Sequence, residues 1–350
     1  MAVQPTTTQA AILVAQHEPL VVDTIELPTN LDVGQVLVEL QCSGICGSQL
    51  GEIDGVKGPD RFLPHLMGHE GFARVLAVGP GVRHVQAGDS VVLHWRQGAG
   101  IQSEPPRYRW RGKPLNAGWV TTFNRHAVVS ENRCTTVPSG TNPDAAALFG
   151  CAVTTGFGVV ENNAKLKMGE SVVVFGAGGI GLNIVQAASL ISAGPIIAVD
   201  RFDSRLKLAQ QAGATHCVNS SSSDPEQTIQ QALSGQMLDV FIDNTGLPAI
   251  IELGYSLTHR MGRVVLVGVP RLGNTVNLYS LPLHFGKQLI GSQGGESLPQ
   301  NDIPRYLRLQ QRGKIHLEQL VSAHYALDEI NFAISAMRDG ATAGRVMIRF

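Results

Sequence analysis

Cys151-Ala-Val-Thr-Thr-Gly156 and, after a short spacer, Ser171-Val-Val-Val-Phe-Gly176-Ala-Gly178-Gly179-Ile180-Gly181 lead through a helical segment to Pro195-Ile-Ile-Ala-Val-Asp200. An apolar strand thus runs into a glycine loop, the loop opens a helix, and a second strand ends on an acid. In a chain with 39 glycines a lone G-x-G-x-x-G means little. Here Asp200 follows Gly181 by 19 residues, close to the spacing of about 20 that a dinucleotide cradle requires. Gly176 and Gly178 permit a tight turn and close approach of a pyrophosphate to backbone N–H groups, and Gly181 lets helix and strand pack closely. The bland alternative is a structural α/β turn with no ligand. Asp200 would accept bonds from the adenosine ribose hydroxyls and repel a 2′-phosphate, which predicts NAD(H) over NADP(H). Arg201 beside it could blunt that choice.

Downstream, short apolar runs at Thr215 to Val218, Asp239 to Ile242, Arg263 to Val267 and Gln288 to Ser292 alternate with helical stretches at Ser204 to Ala212, Pro225 to Leu233 and Ala249 to His259. With the two strands of the opening stretch they predict an α/β fold with a doubly wound, six-stranded parallel sheet. After Gly294-Gly295 two helices, Ile303 to Arg312 and Glu329 to Arg338, and a strand, Arg345 to Phe350, do not extend that series. They are assigned back to the first domain, giving residues 1–152, 153–293 and a returning 294–350.

Upstream, β-branched runs at Ala11 to Ala15, Leu20 to Leu27, Gln35 to Cys42, Gly71 to Val78, Asp89 to Trp95 and Phe123 to Val129 alternate with Gly, Pro and Asp. This is the pattern of an antiparallel, barrel-like β domain. Periodicity stops between Arg96 and Gly118, where Arg96, Arg107, Arg109, Arg111 and Lys113 face only Glu104 in sequence. The segment reads as a lobe or long loop: a solvated excursion or subunit contact, or an anion-binding, substrate-selecting element.

Lys and Arg number 27 against 28 Asp and Glu, without runs of like charge, so neither a nucleic-acid groove nor an anionic membrane partner is expected. Five cysteines, an odd number, read as thiols in a reducing, cytoplasmic setting and not as a disulfide framework. Met1 to Gln9 carries no basic segment followed by an apolar core, so no signal peptide is expected. The uncharged run Ser171 to Val199 is broken by glycines, polar residues and Pro195, against a membrane span.

Three residues are candidates for a catalytic Cys2His zinc site with an open fourth position: Cys46 in Gly44-Ile-Cys46-Gly-Ser48, His69 in Gly68-His69-Glu70, and Cys151 after Gly150. Singly, each is more simply a buried Cys or core His. In this order ahead of a dinucleotide loop, they make a recognisable set. Together with Thr154-Thr155-Gly156, Val267-Gly268-Val269 and Gly344-Arg345 they make the chain resemble, along essentially its whole length, a zinc-dependent alcohol dehydrogenase of the medium-chain dehydrogenase/reductase superfamily. The resemblance implies a GroES-like β-barrel catalytic domain, a Rossmann domain, and an active site between them.

By the same resemblance Cys46, His69 and Cys151 are the zinc ligands, Glu70 a carboxylate that approaches the metal, and Ser48 the acceptor of the alcohol proton. Thr155 and Ile180 pack on the nicotinamide, the backbone at Val267 and Val269 holds its carboxamide, and Gly179 belongs to the loop. Arg205 lies near the adenosine ribose, Arg345 near the pyrophosphate, and Trp95 in the substrate pocket. Three features depart from the family pattern. No cysteine lies between Arg96 and Arg133, so one catalytic zinc and no structural zinc is expected; Gln49 stands where an acid orients the histidine; and Gly51 replaces a relay histidine. Cys42, Cys134 and Cys217 match no ligand position, and Cys42 reads as a small core residue.

The resulting expectation is reversible NAD+-dependent oxidation of an alcohol, polyol, sugar-like or anionic, by a homodimer or homotetramer. Two alternatives are a zinc-free quinone- or enoyl-type reductase and a non-catalytic NAD-binding structural protein. Both fit poorly with a chain that keeps all three ligands.

Overall fold

The structure, a computed structural model, describes residues 5–350; the first four residues of the N-terminal reading lie outside it. Six strands form one wholly parallel sheet in the spatial order His216–Asn219, Ile196–Asp200, Val172–Phe175, Leu238–Asp243, Thr258–Leu266 and Gln288–Gly291. Chain order reverses between Val172–Phe175 and Leu238–Asp243, and such a reversal opens a crevice at the carboxyl ends of the strands. The central strands are buried along their whole length because helices cover both faces. Helix Gly179–Leu190 starts at the expected glycine loop. Gly176 adopts φ of +96°, and a Cβ at Gly181 would lie 2.0 Å from the Gly176 carbonyl oxygen, so neither position admits a side chain.

The remaining β structure forms a five-stranded sheet and a seven-stranded sheet. The long strand Gln35–Ile45 lies at the centre of the second, antiparallel to Glu70–Val78, to His126–Ser130 and to the C-terminal strand Arg345–Arg349. The chain end therefore returns to the first half of the molecule, with Val346 opposite Ile45, one residue before Cys46. Two strands of this sheet, Cys134–Val137 and Val321–Ala326, were not expected from periodicity. The first strand runs Thr7–Leu13, earlier than Ala11 to Ala15, because polar Thr and Gln hide its alternation. Residues 151–156 cap and begin the helix Ala152–Gly158.

The expected loop after Arg96 contains a small hairpin, Tyr108–Trp110 with Lys113–Leu115, joined to the five-stranded sheet. One buried carboxylate pins the segments before it. Glu131 accepts from the backbone N–H groups of Arg83 (2.6 Å), His84 (2.8 Å) and Ile101 (2.7 Å). Burial pushes its carboxyl up, but those three donors outweigh burial and hold it below the ordinary glutamate range. Stability from a depressed carboxyl is present above its unfolded pKa and disappears as pH falls through the folded one. Glu131→Gln should cost about 1–3 kcal/mol at pH 7 in denaturant unfolding. The gap from wild type should narrow as pH falls below the ordinary glutamate range and through the depressed value of the folded protein.

Candidate active site

The strand Gln35–Ile45 delivers Cys46 to the N-cap of helix Gly47–Ile53. His69 precedes the strand Glu70–Val78, and Cys151 caps the helix Ala152–Gly158. One ligand atom from each of the three lies within 4.8 Å of the others, although the residues come from three separate segments. The His69 Nε2 is buried and has no hydrogen-bond partner, as a nitrogen held for a cation would be. A hydrogen bond from the Cys151 thiol holds Cys46 well below the usual thiol range against the cost of burial, and the same bond pushes Cys151 up. Two soft sulfurs and an imidazole in a buried cluster match the donor set of a zinc site with one open position.

Gln49, in the place of an orienting acid, contacts both Cys46 and His69, but with its oxygen taken by Cys46 it presents to His69 a donor and not the acceptor that an acid would supply. Its Oε1 accepts from the Cys46 N–H at 2.6 Å, and its Nε2 lies 2.8 Å from His69 Nδ1. One buried amide thus ties two candidate ligands together. Trp95 meets the His69 ring edge to face, with centroids 6.5 Å apart.

Glu70, next to His69, has a partner that the sequence did not show. Its carboxylate is fully buried and paired with Arg345: Nε to Oε1 at 2.7 Å, and an aligned bond from Nη2 to Oε2 at 3.0 Å. Oε2 also accepts from the Ala152 N–H at 3.2 Å. Burial raises the Glu70 pKa and Arg345 opposes the rise; burial likewise works against the Arg345 charge, but Glu70 and the two cysteines together hold its pKa above the ordinary arginine value. Glu70 is a fastener between elements, and Arg345 reaches the glycine loop, where a Cβ on Gly179 would lie 3.0 Å from its Nη1.

A cleft cavity of about 620 Å³ is lined by Cys46, His69 and Cys151 together with Ser48, Thr155, Ile180, Val267, Val269 and Trp95. The Oγ of Ser48 and the Oγ1 of Thr155 are buried without partners. The Val267 N–H is donated to the Asp243 carbonyl at 2.8 Å, which leaves its own carbonyl, not its N–H, for a ligand. Asp200 accepts from the Ala177 N–H at 2.8 Å and the Phe202 N–H at 3.1 Å, which fixes the acid against the glycine loop. Arg205 lies 3.7 Å from the same carboxylate, and both Arg201 and Arg205 stack on Phe202.

The basic lobe does not reach the cleft. Arg109 pairs with Glu26 and Arg111 with Asp23, while Arg107 is exposed and lines no part of the cavity. Arg96 stacks on Trp95 and donates to the Gln293 carbonyl at 2.8 Å. The charged wall is instead Glu52, near the end of the helix Gly47–Ile53, and Lys57, Asp60 and Arg61, with Phe62, from a Gly- and Pro-rich loop that carried no periodic signal. The remaining cysteines stay outside the cluster: Cys42 and Cys134 are buried in the β cores, and Cys217 is exposed.

The profile described as "Alcohol dehydrogenase GroES-like domain" matches residues 32–139, and "Zinc-binding dehydrogenase" matches residues 179–312. An S-(hydroxymethyl)glutathione dehydrogenase of Synechocystis is 31% identical over 97% of this chain and 99% of its own length. The chain belongs to the zinc-dependent alcohol dehydrogenases of the medium-chain dehydrogenase/reductase superfamily. Its fold is shared with an alcohol dehydrogenase zinc-binding domain protein from Burkholderia ambifaria (TM-score 0.88, 30% identity). A benzyl alcohol dehydrogenase from Acinetobacter calcoaceticus gives a TM-score of 0.87 at 29% identity; in both cases 98% of this chain and 99% of the other is covered. As a member of this family the chain is an oxidoreductase acting on CH–OH donors with zinc and a nicotinamide cofactor. No helix among the described residues is long and apolar enough to cross a membrane.

Removing the Gln49 bridge should loosen the metal. For Gln49→Ala, zinc retention in competition with a chelator is expected to fall about 10–100-fold, as for other outer-shell losses. Unchanged retention would mean that the amide contributes nothing to ligand placement.

Proposed function

We propose that the chain oxidises a bulky or aromatic primary alcohol to its aldehyde with NAD+, at the cleft that joins the Cys46–His69–Cys151 cluster to the glycine loop. The observation that carries this reading is that one cavity holds the three ligand atoms, the unpartnered Ser48 and Thr155 hydroxyls, and Ile180. When bound, one zinc supplies Lewis acidity that makes an alcohol hydroxyl acidic near neutral pH, and the nicotinamide supplies the hydride acceptor. The chain does the rest. Cys46, His69 and Cys151 would hold the zinc, and Ser48 takes the hydroxyl proton. Thr155 and Ile180 wall the nicotinamide side, while Val267 and Val269 offer backbone groups to its carboxamide. Trp95 and Phe62 shape the apolar part of the pocket and exclude water. Arg345 would face the pyrophosphate across Gly179.

Asp200, with its fixed carboxylate, supports NAD(H) over NADP(H). Lys57 and Arg61 at the mouth, and not Arg107 or Arg109, are the cations an anionic tail would meet. One relative acts on S-(hydroxymethyl)glutathione and one structural neighbour on benzyl alcohol, so both kinds of substrate belong in the assay. The division into residues 1–152, 153–293 and 294–350 is the domain scheme we adopt. The edge strand Gln288–Gly291 and the exposed Leu272, Tyr279 and Phe285 support a homodimer, alone or within a tetramer. Five free thiols fit a cytoplasmic setting.

A panel of alcohols assayed by NADH absorbance tests this reading, and benzyl alcohol should outperform ethanol in kcat/KM. Cys151→Ser should abolish turnover while NADH binding survives. Asp200→Gly should raise KM for NAD+ about tenfold or more, the equivalent of a lost charge-assisted hydrogen bond, without a matching loss for NADP+. Turnover retained by Cys151→Ser would refute the assignment.

A further inference from the structure

Alcohol oxidation with NAD+ yields an aldehyde, NADH and a proton: the carbon-bound hydrogen leaves with two electrons as hydride, and the hydroxyl proton must reach solvent. The buried Ser48 Oγ has no acceptor, and Gly51, one turn further along the helix Gly47–Ile53, has no side chain to carry a proton onward. Glu52 follows at i+4 from Ser48, on the same face of that helix, and lines the same cavity. It belongs to a cluster that the mechanism above leaves unused. Its Oε1 lies 3.9 Å from His65 Nε2, and Asp60 Oδ2 lies 2.8 Å from the same nitrogen. The other ring nitrogen donates to the Leu66 carbonyl at 2.9 Å. With Nδ1 committed as a donor and two carboxylates facing Nε2, the ring is set to hold and release one proton at Nε2. The cluster spans the wall of the cleft, since the His65 side chain is 9% exposed and that of Glu52 is 46% exposed.

We propose that Glu52, His65 and Asp60 form the proton outlet of the cleft, taking the alcohol proton from Ser48 through water in the space left open by Gly51 and passing it to solvent at Glu52. This rests on the alcohol-oxidising reading given above. Each transfer breaks one O–H or N–H bond and forms another, and no further oxidant or base is consumed. Asp60 is held in place by neutral partners: its N–H donates to Gln16 Oε1 at 3.2 Å, and its Oδ1 accepts from the Phe62 N–H at 2.8 Å. The charged and titratable groups around the cluster are Lys57 and Arg61 on the same loop, the Asp54–Arg338 ion pair beside the helix end, and His17, whose N–H donates to the Ile53 carbonyl; the residue after the strand Lys113–Leu115 is the neutral Asn116, bridged to His65.

The test uses the zinc-loaded enzyme, NAD+ and the best alcohol of the panel. In E52Q, H65N and the double variant, kcat at pH 7 should fall on the order of 10–100-fold, the range of a lost acid–base step. The loss should shrink as pH rises toward 10, and imidazole buffer should rescue the variants but not wild type. Stopped-flow with a pH indicator should show proton release lagging NADH formation in the variants, while NADH affinity is unchanged. E52Q alters an exposed side chain and so guards against a folding defect in H65N. Variants with the wild-type pH profile, no buffer rescue and no lag would overturn the proposal while leaving the alcohol-oxidising reading intact. Wild-type enzyme that oxidises no alcohol would remove that reading, and the proposal with it.

Discussion

The buried ion pair between Glu70 and Arg345 is the constraint on which the site depends. Each partner is chained to a candidate ligand. Glu70 follows His69 directly and accepts from the N–H of Ala152, the residue after Cys151. Arg345 begins the strand that pairs with Ile45, the residue before Cys46. One carboxylate and one guanidinium thus hold three separate segments in register. The backbone has made room for them: a Cβ on Gly44 would lie 2.1 Å from Glu70 Oε1, and one on Gly150 would lie 2.9 Å from the Glu70 Cβ. Removing either partner of such a pair would leave an uncompensated buried charge, at a cost of about 3–5 kcal/mol.

The same pair links the candidate ligands to the glycine loop. Arg345 approaches Gly179 at the start of the helix that the glycine loop opens, so the guanidinium lies between the cysteine–histidine cluster and that loop. A site divided between a β-barrel and a parallel sheet needs a rigid link at the join. Here the link comes from the last strand of the chain, which returns to the first half of the molecule.

Much of this was legible in the sequence because it obeys short-range rules. Val172–Phe175 is a continuous apolar run and Ile196–Asp200 is one up to its final acid, and the glycine loop is punctuated by residues whose missing side chains are sterically required. The gathering of Cys46, His69 and Cys151 was readable only from resemblance, since nothing in their spacing brings three distant segments together. The pairing of Glu70 with Arg345 went unread because its partner lies at the far end of the chain, and pairing over that separation leaves no local signal. Gln49 was doubted for its lack of charge, yet its length lets one amide span Cys46 and His69. Arg107 and Arg109 looked like anion binders because composition counts charge without direction; the fold spends Arg109 on Glu26 and leaves Arg107 away from the cleft. The lobe that lacks cysteines is fastened by Glu131, through backbone donors that no side-chain pattern reveals.

The account stands on three ligands from three segments meeting at one metal. X-ray absorption at the zinc edge of the purified enzyme tests this most directly. It should show two sulfurs at about 2.3 Å and one nitrogen at about 2.0–2.1 Å, with a light-atom donor in the fourth position. A shell of four sulfurs, or one of nitrogen and oxygen alone, would contradict it.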